Sequence, residues 1–178
     1  MPLVELFTSE GCSSCPPAER WMGELRHEEG LWQDFVPVAW HVNYWDRLGW
    51  PDKFANKRFT ARQYAYASKW KARKVYTPGL ARGGEEWRIR DGGIDQPGLS
   101  DGGALEVKVT GADVHVSYSS TGKHSEELHV NVARLGGGIA SKVSSGENRG
   151  KNCSTNFSSS VGVNVVCGLE RPSYGYPK

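Results

Sequence analysis

The chain has 178 residues, of which 38% are hydrophobic and 24% are charged, and its formal net charge at pH 7 is +2. A chain of this length buries a substantial core without a dense disulfide framework, and it forms one large domain or two small ones. Lysine and arginine form no run that would track phosphates, and no apolar stretch approaches the roughly 20 residues of a membrane-spanning helix, so we expect neither a nucleic-acid ligand nor a membrane span.

The first local patterns along the chain predict a strand, a helix and a second strand. The short apolar runs at residues 3–7 and 36–42 contain β-branched and aromatic side chains, which favour buried strands. Between them, apolar side chains at the spacing of one helical face follow Pro16 and Pro17. Because only the first turn of a helix tolerates these prolines, the helix is predicted to begin at residues 12–15. Strand, helix and strand of this length predict a parallel βαβ unit.

A second helix is predicted after this unit. Thr60 and Gln63 have the spacing of a capping box, which would open a helix that runs to about Lys71. On this helix, Arg62 is predicted to lie on a solvated face.

The patterns then become typical of β-structure. Residues 80–89 contain the glycine pair 83–84 between two short runs, which predicts a tight hairpin. Residues 91–103 are rich in glycine and aspartate and are interpreted as a linker. The alternation of apolar and polar side chains over residues 105–132 predicts an antiparallel meander with one buried face. No element is predicted after Gly136.

These patterns together predict an α/β fold with two domains. Residues 1–100 are expected to form a mixed sheet with flanking helices, and residues 101–178 a β-rich antiparallel domain.

The sequence C-x-x-C from Cys12 to Cys15 stands at the start of the first predicted helix. The unpaired N–H groups and the helix dipole there stabilise a thiolate, so Cys12 is predicted to be the solvent-facing nucleophile. Cys15, more buried, is predicted to release the mixed disulfide. The motif therefore predicts a thiol–disulfide oxidoreductase that acts on protein or peptide disulfides, exchanges electrons with an unidentified redox partner, and uses no cofactor or metal.

Other interpretations of the two early cysteines stay open. One alternative is a static bridge and another is a zinc site, although zinc needs two more ligands and there is no second C-x-x-C. They could also bind copper together with His41, or belong to a non-catalytic module that binds a peptide. The late cysteines, Cys153 and Cys167, are predicted to form a structural disulfide that contributes about 3 kcal/mol. The alternative for that pair is two free thiols.

Four further residues are predicted to bind substrate. Thr77 and Pro78 precede the predicted hairpin, where a cis X-Pro bond would leave backbone groups free to pair with an extended peptide. Tyr44 and Asp46 follow the second strand, at the carboxyl edge of the sheet where ligands collect. The alternative is that the aromatic side chains of this loop pack it onto the core and that Asp46 binds backbone amides.

Several stretches of the chain resemble the domain-of-unknown-function family 1223, a mostly bacterial family of thioredoxin-like proteins. They are residues 4–19 (VELFTSEGCSSCPPAE), 41–50 (HVNYWDRLGW), 59–67 (FTARQYAYA), 75–78 (VYTP) and 146–150 (GENRG). The resemblance implies a thioredoxin-like fold for residues 1–100 and a redox site at Cys12 and Cys15, without a known substrate. It also implies a periplasmic or secreted protein. No signal peptide is visible, and we expect that segment upstream of Met1 in a natural precursor.

Overall fold

A computed structural model describes residues 1–88, 94, 103–120, 129–158 and 164–170, with the backbone alone at 129–130 and 164–170. Its longer elements are β1 (Leu3–Thr8), α1 (Pro16–Glu24), β2 (Val36–His41), α2 (Lys57–Lys69), β3 (Gly79–Arg82), β4 (Glu85–Glu86), β5 (Gly103–Thr110), β6 (Asp113–Ser120), β7 (His129–Leu135), β8 (Ile139–Lys142), β9 (Asn152–Thr155) and β10 (Asn164–Glu170). Neither α1 nor α2, nor any other helix in these described ranges, is long and apolar enough to cross a membrane. The fold is mixed α/β, with a mixed sheet followed by further antiparallel strands.

The mixed sheet has the strand order β2-β1-β3-β4. β1 and β2 are adjacent and parallel, with Leu3 opposite Val36 and Thr8 opposite His41. This confirms the predicted parallel pair. Both strands are almost entirely buried, because the sheet is covered on both faces, and this is why their sequences read as continuous apolar runs.

Helix α1 connects these two strands and begins where the prolines require it. Cys15 is the N-cap, and Pro16 and Pro17 occupy the first turn, as predicted. Ala18 and Met22 lie on its buried face, and Met22 belongs to the same apolar cluster as the side chains of β1 and β2. Burial of one such side chain contributes roughly 1.5–3 kcal/mol.

The predicted start of the second helix at Thr60 is wrong. Helix α2 begins three residues earlier, because the Asn56 side chain accepts a hydrogen bond from the Arg58 N–H and caps the helix. The Thr60 hydroxyl instead accepts a hydrogen bond from the Asn43 N–H at 3.0 Å and donates one to Asn43 Oδ1 at 2.7 Å. Thr60 therefore ties α2 to the loop after β2.

Strands β3 and β4 form the predicted hairpin on the antiparallel side of the sheet. Gly83 and Gly84 make its turn with φ angles of 57° and 84°, a region that other residues rarely adopt. The last predicted hairpin residue, Ile89, and most of the predicted linker 91–103 lie outside the described residues.

The predicted meander is correct for its first two strands only. β5 and β6 pair in antiparallel register, but β7 pairs with β10 instead of with β6. The predicted buried face is also wrong, since Val107 and Val109 are 36% and 53% exposed. A two-stranded ribbon has no third strand to extend its face, which explains this exposure. β8, β9 and β10 correct the expectation of no element after Gly136.

Part of the C-terminal half packs against the first sheet. Leu135 and Phe157 belong to the same buried cluster as the side chains of β1 and β2. The Ala39 N–H donates a hydrogen bond to the Phe157 carbonyl at 2.9 Å, which fastens this segment beside β2. The domain boundary near residue 100 stays a prediction.

Candidate functional site

The two early cysteines form a disulfide at the N-terminus of α1. Their Cα atoms are 5.4 Å apart, a separation typical of disulfides. The Cys12 N–H donates to the Ser9 carbonyl, the Cys15 N–H to the Cys12 carbonyl, and the Glu19 N–H to the Cys15 carbonyl, at 3.1–3.2 Å. The turn after β1 therefore runs directly into the helix and places the pair at the carboxyl end of the central strand.

Both cysteines are fully buried in this disulfide form. The exposed fraction is 0% for Cys12 and for Cys15, whereas Ser13 and Ser14 are exposed. The prediction that Cys12 faces solvent is therefore wrong for this form. Cys12 is buried because chain segments that are distant in the sequence pack around the C-x-x-C loop.

One of these segments, which we term the strap, comprises residues 145–151. The Asn148 side chain is fully buried, and its amide nitrogen donates to the carbonyl oxygens of Glu10 and Cys12, each at 2.8 Å. The preceding residue, Glu147, accepts a hydrogen bond from the Ser13 N–H through its carboxylate at 3.1 Å. These contacts bind the C-x-x-C loop to a segment more than 130 residues later in the chain.

A second segment contains Thr77 and Pro78, and their peptide bond is cis, as predicted. Ser14 Oγ lies 3.3 Å from Cys12 Sγ and 3.4 Å from the Thr77 carbonyl oxygen. The Trp45 indole N–H donates to the Thr77 hydroxyl at 2.7 Å. The structure thus brings Thr77 and Pro78 to the dithiol, while their role in substrate binding stays a prediction.

Tyr44 and Asp46 lie on the loop beside this segment. The Tyr44 hydroxyl donates to Gln63 Oε1 at 3.2 Å, and burial raises the pKa of Tyr44 to about 12, so the phenol stays neutral. Asp46 Oδ1 accepts the Asp52 N–H at 3.1 Å, and burial raises the pKa of Asp46. Asp46 therefore orders its own loop, and its contribution to substrate binding stays a prediction.

A buried group of four ionisable side chains close to the dithiol was not predicted. Its members are Glu10, Glu19, His41 and Asp52. His41 Nδ1 lies 2.7 Å from Asp52 Oδ2, which also accepts the Glu10 N–H at 2.7 Å. Glu19 Oε1 accepts the Thr8 hydroxyl at 2.6 Å. His41 Nε2 and Glu10 Oε1 have no hydrogen-bond partner in the described part of the chain.

The pKa values of Glu19, His41 and Asp52 are shifted by burial and by neighbouring charges. Burial raises the pKa of Glu19, and the charge of His41 and the hydrogen bond from Thr8 oppose this only in part. Burial alone would lower the pKa of His41 and raise the pKa of Asp52. Their mutual hydrogen bond and opposite charges outweigh burial, so the pKa of His41 is raised and the pKa of Asp52 is lowered. Between the ordinary pKa values of 3.8 for the aspartate and 6.5 for the histidine, the pair is therefore an imidazolium and a carboxylate.

The His41–Asp52 pair makes a testable contribution to stability. His41, with its raised pKa, stabilises the fold below its ordinary value of about 6.5, and this is lost as the pH rises through the folded value. Asp52, with its lowered pKa, stabilises the fold above about 3.9, and this is lost as the pH falls. Asp52→Asn is therefore expected to lower the free energy of unfolding most near pH 5, by about 3 kcal/mol, and less at pH 9.

Urea unfolding of wild type and Asp52→Asn at both pH values measures this difference. Asp113→Asn, which changes an exposed carboxylate in β6, is the control and should have little effect at either pH. An equal loss for Asp52→Asn at both pH values would contradict the charged pair.

The predicted disulfide between Cys153 and Cys167 is not formed in the structure, where Cys153 is a free, buried thiol. Cys153 lies in β9, whereas Cys167 lies in β10 opposite Val132, and these strands belong to different sheets. Burial raises the pKa of Cys153 to about 11, and the negative charges of Glu19, Glu10 and Asp52 act in the same direction. Cys153 therefore packs as a neutral apolar side chain.

The zinc and copper sites considered from the sequence have no complete set of ligands among the described residues. These residues contain no group of three or more His, Cys, Asp or Glu side chains that could hold a metal ion. One nitrogen of His41, the histidine considered for copper, is already engaged with Asp52.

A protein-family model and a solved structure are similar to this chain. A family model described as a protein of unknown function (DUF1223) matches residues 3–167. A crystal structure of a protein from Agrobacterium tumefaciens, solved by the Northeast Structural Genomics Consortium, is similar with 26% sequence identity and a TM-score of 0.63, over 97% of this chain and 74% of that chain. No curated protein matches. The family match includes the dithiol, the strap and the four buried ionisable side chains beside the dithiol.

Proposed function

The chain belongs to the DUF1223 family, and we propose that it is a thiol–disulfide oxidoreductase that acts on protein or peptide disulfides through Cys12 and Cys15. The observation that carries this proposal is the bridged C-x-x-C pair at the N-terminus of α1. At that position the unpaired N–H groups and the helix dipole favour a thiolate, which is the attacking species in disulfide exchange.

We also propose that the first half of the chain is a thioredoxin-like domain. The support is the order of its elements: two parallel strands joined by a helix, a second helix, and an antiparallel hairpin that begins after Pro78. The contact of Ser14 with the Thr77 carbonyl places that proline segment beside the dithiol, where an extended peptide could pair with backbone groups.

In the reducing direction, the Cys12 thiolate attacks one sulfur of the partner's disulfide, and the other partner sulfur leaves as a thiolate. Cys15, after losing its proton, attacks the Cys12 sulfur of the mixed disulfide and releases the second partner thiolate. The partner gains two electrons and two protons, and the chain ends with the Cys12–Cys15 disulfide that the structure contains. The reverse sequence oxidises a partner dithiol.

Glu19 is the proposed proton acceptor for Cys15. It follows Cys15 by one helical turn, so the two buried side chains lie on the same side of the helix. Burial raises its pKa above that of an exposed carboxyl group, so it binds a proton more readily, which suits a group that takes a proton and later returns it.

Glu19→Gln is therefore expected to slow release of the mixed disulfide on the order of 100-fold, because the amide cannot accept the proton. Alkylation of Cys12 should stay at the wild-type rate. Stopped-flow measurement of the second exchange step tests this, with Glu24→Gln, an exposed carboxyl group on the same helix, as the control. Equal rates for both variants would remove Glu19 from the mechanism.

The proposed activity itself is tested by the reduction potential of the Cys12–Cys15 pair in glutathione buffers. An oxidoreductase gives a reversible two-electron equilibrium and catalyses reduction or oxidation of a model protein disulfide. A pair that stays oxidised at every accessible glutathione ratio and catalyses nothing would show a static bridge instead.

The second candidate is a module that keeps this fold and binds a peptide or copper without turnover. The complete burial of both cysteines favours it, because a partner disulfide needs access to a sulfur atom. Peptide or copper binding that persists while exchange activity is absent would support the module. We further propose a periplasmic or secreted setting, where disulfides persist, which fractionation of the native host tests.

A further inference from the structure

The strap, residues 145–151, is held against the C-x-x-C loop by side-chain hydrogen bonds. Asn148 is fully buried although it is polar, and its amide donates to the Glu10 and Cys12 carbonyls. Lys151 Nζ donates to Asn148 Oδ1 at 3.0 Å, which fixes the orientation of that amide. Asn148 therefore holds the strap and the C-x-x-C loop together with two buried hydrogen bonds.

Glu147 provides a second anchor at the helix N-terminus. Its carboxylate accepts the Ser13 N–H at 3.1 Å, although the side chain lies at the surface. The hydrogen bonds from Ser13 lower the pKa of Glu147, so this anchor is an anion at neutral pH. It engages the N–H group of the residue that directly follows Cys12.

Two glycines within the strap make its turns. Gly146 has a φ angle of 74° and Gly150 one of 82°, both in the region that favours glycine. The Gly150 N–H donates to the Val143 carbonyl at 2.8 Å, and the Ser145 hydroxyl donates to the Gly49 carbonyl. The Arg149 N–H also donates to the Gly146 carbonyl at 3.2 Å and the Lys151 N–H to the Asn148 carbonyl at 3.0 Å, so the strap keeps its own turn and is attached to the C-x-x-C loop by the Asn148 and Glu147 side chains.

We propose that the strap is a gate over the dithiol, and that a partner reaches Cys12 only after Asn148 releases the Glu10 and Cys12 carbonyls. This inference rests on the proposed function for its biological purpose, since a gate regulates access of a partner to the reactive sulfur. Opening also frees the Ser13 N–H from Glu147, so the same movement exposes Cys12 and releases the backbone group next to it.

The test measures how fast tris(2-carboxyethyl)phosphine reduces the Cys12–Cys15 disulfide. The phosphorus attacks one sulfur, the other sulfur leaves as a thiolate, and water hydrolyses the resulting thiophosphonium to the second thiol and the phosphine oxide. Asn148→Ala removes both buried hydrogen bonds and should increase the rate roughly 10- to 50-fold. Asn156→Ala is the matched control, because Asn156 also bonds a backbone group, the Gly138 N–H at 2.8 Å, but it does not touch the C-x-x-C loop. The control should react at the wild-type rate.

The rates are measured in 0 to 1 M urea to separate local opening from global unfolding. Movement of the strap exposes little surface, so the rate for Asn148→Ala should depend weakly on urea. The proposal is overturned if Asn148→Ala reacts at the wild-type rate, or if both variants react faster with the urea dependence of global unfolding.

A second variant covers the case in which Asn148→Ala does not fold. Glu147→Gln changes an exposed side chain and keeps the size of the anchor, and it should increase the rate about two- to fivefold because a neutral acceptor holds the Ser13 N–H more weakly. An unchanged rate would overturn the proposal.

The two proposals fail in different ways. The phosphine needs no protein substrate, so a chain with no exchange activity towards proteins can still show a faster reaction for Asn148→Ala. Conversely, a reversible potential and catalysed exchange with no effect of Asn148→Ala would leave the oxidoreductase proposal intact and remove the gate.

Discussion

Cys15→Ser protein is expected to accumulate stable mixed disulfides with partner proteins from an oxidising extract, whereas Cys12→Ser protein captures none. With Cys15 replaced, Cys12 remains able to attack a partner disulfide, but no second thiol completes the exchange. With Cys12 replaced, the proposed attacking thiol is gone, and Cys15, the N-cap of α1, is fully buried and has no thiol partner. Electrophoresis of affinity-captured protein with and without reductant reports the difference.

Cys153→Ser is the matched control for both variants. Cys153 is a free and buried thiol, and burial raises its pKa to about 11, so it forms little thiolate at neutral pH. Its replacement should leave capture by Cys15→Ser unchanged when the two substitutions are combined. Capture that depends on Cys153 would contradict the assigned roles. The roles would also be contradicted if neither single variant captures a partner and the wild-type Cys12–Cys15 bridge cannot be reduced.

Much of the first sheet and the position of the dithiol follow from local sequence patterns. The apolar runs of β1 and β2 predict strands because both faces of each strand are buried. Pro16 and Pro17 fix the start of α1, and with it the position of Cys15 at the N-cap. Gly83 and Gly84 predict the hairpin because its turn requires positive φ angles. In each case the physical cause lies within a few residues of the pattern.

The environment of the dithiol could not be predicted in the same way. Asn148 and Glu147 form hydrogen bonds with the C-x-x-C loop, and no local pattern indicates that residues 145–151 pack on a loop near the N-terminus. The family-like stretch GENRG, residues 146–150, is the one sequence signal that pointed to this segment. Glu19 was missed because glutamate is rarely buried, although its position one turn after Cys15 and beside Ala18 marks the buried face.

The same limit explains the error at Arg62, which the sequence places on a solvated helix face. The side chain is only 14% exposed, because its Nε donates to Glu5 Oε1 at 2.6 Å beneath helix α2. The Trp40 indole N–H donates to the same carboxylate at 2.8 Å, and the Tyr66 hydroxyl donates to Glu5 Oε2 at 2.6 Å. The guanidinium also lies 5.4 Å and 5.1 Å from the rings of Trp40 and Tyr66, so it stacks between polar and aromatic partners.

Arg62→Met is accordingly expected to lower the free energy of unfolding by about 3 kcal/mol, because it removes the cation and leaves Glu5 as a fully buried charge. Methionine keeps much of the length and the apolar stem of arginine, so the loss reports the missing charge and hydrogen bonds more than a cavity. Urea unfolding at pH 7 measures it. Arg58→Met, an exposed arginine near the start of the same helix, is the control and should change stability by less than about 0.5 kcal/mol.

A second substitution separates the buried charge from the packing. Adding Glu5→Gln to Arg62→Met removes the unpaired charge, and the amide oxygen accepts from the Trp40 indole while the amide NH2 donates to the Tyr66 hydroxyl, so it should restore part of the lost stability. If the double variant is instead less stable than Arg62→Met by the full cost of Glu5→Gln alone, the two positions act independently and the buried ion pair does not stabilise the fold. A loss for Arg58→Met equal to that for Arg62→Met would lead to the same conclusion, since it would trace the effect to the helix surface and not to the carboxylate under it.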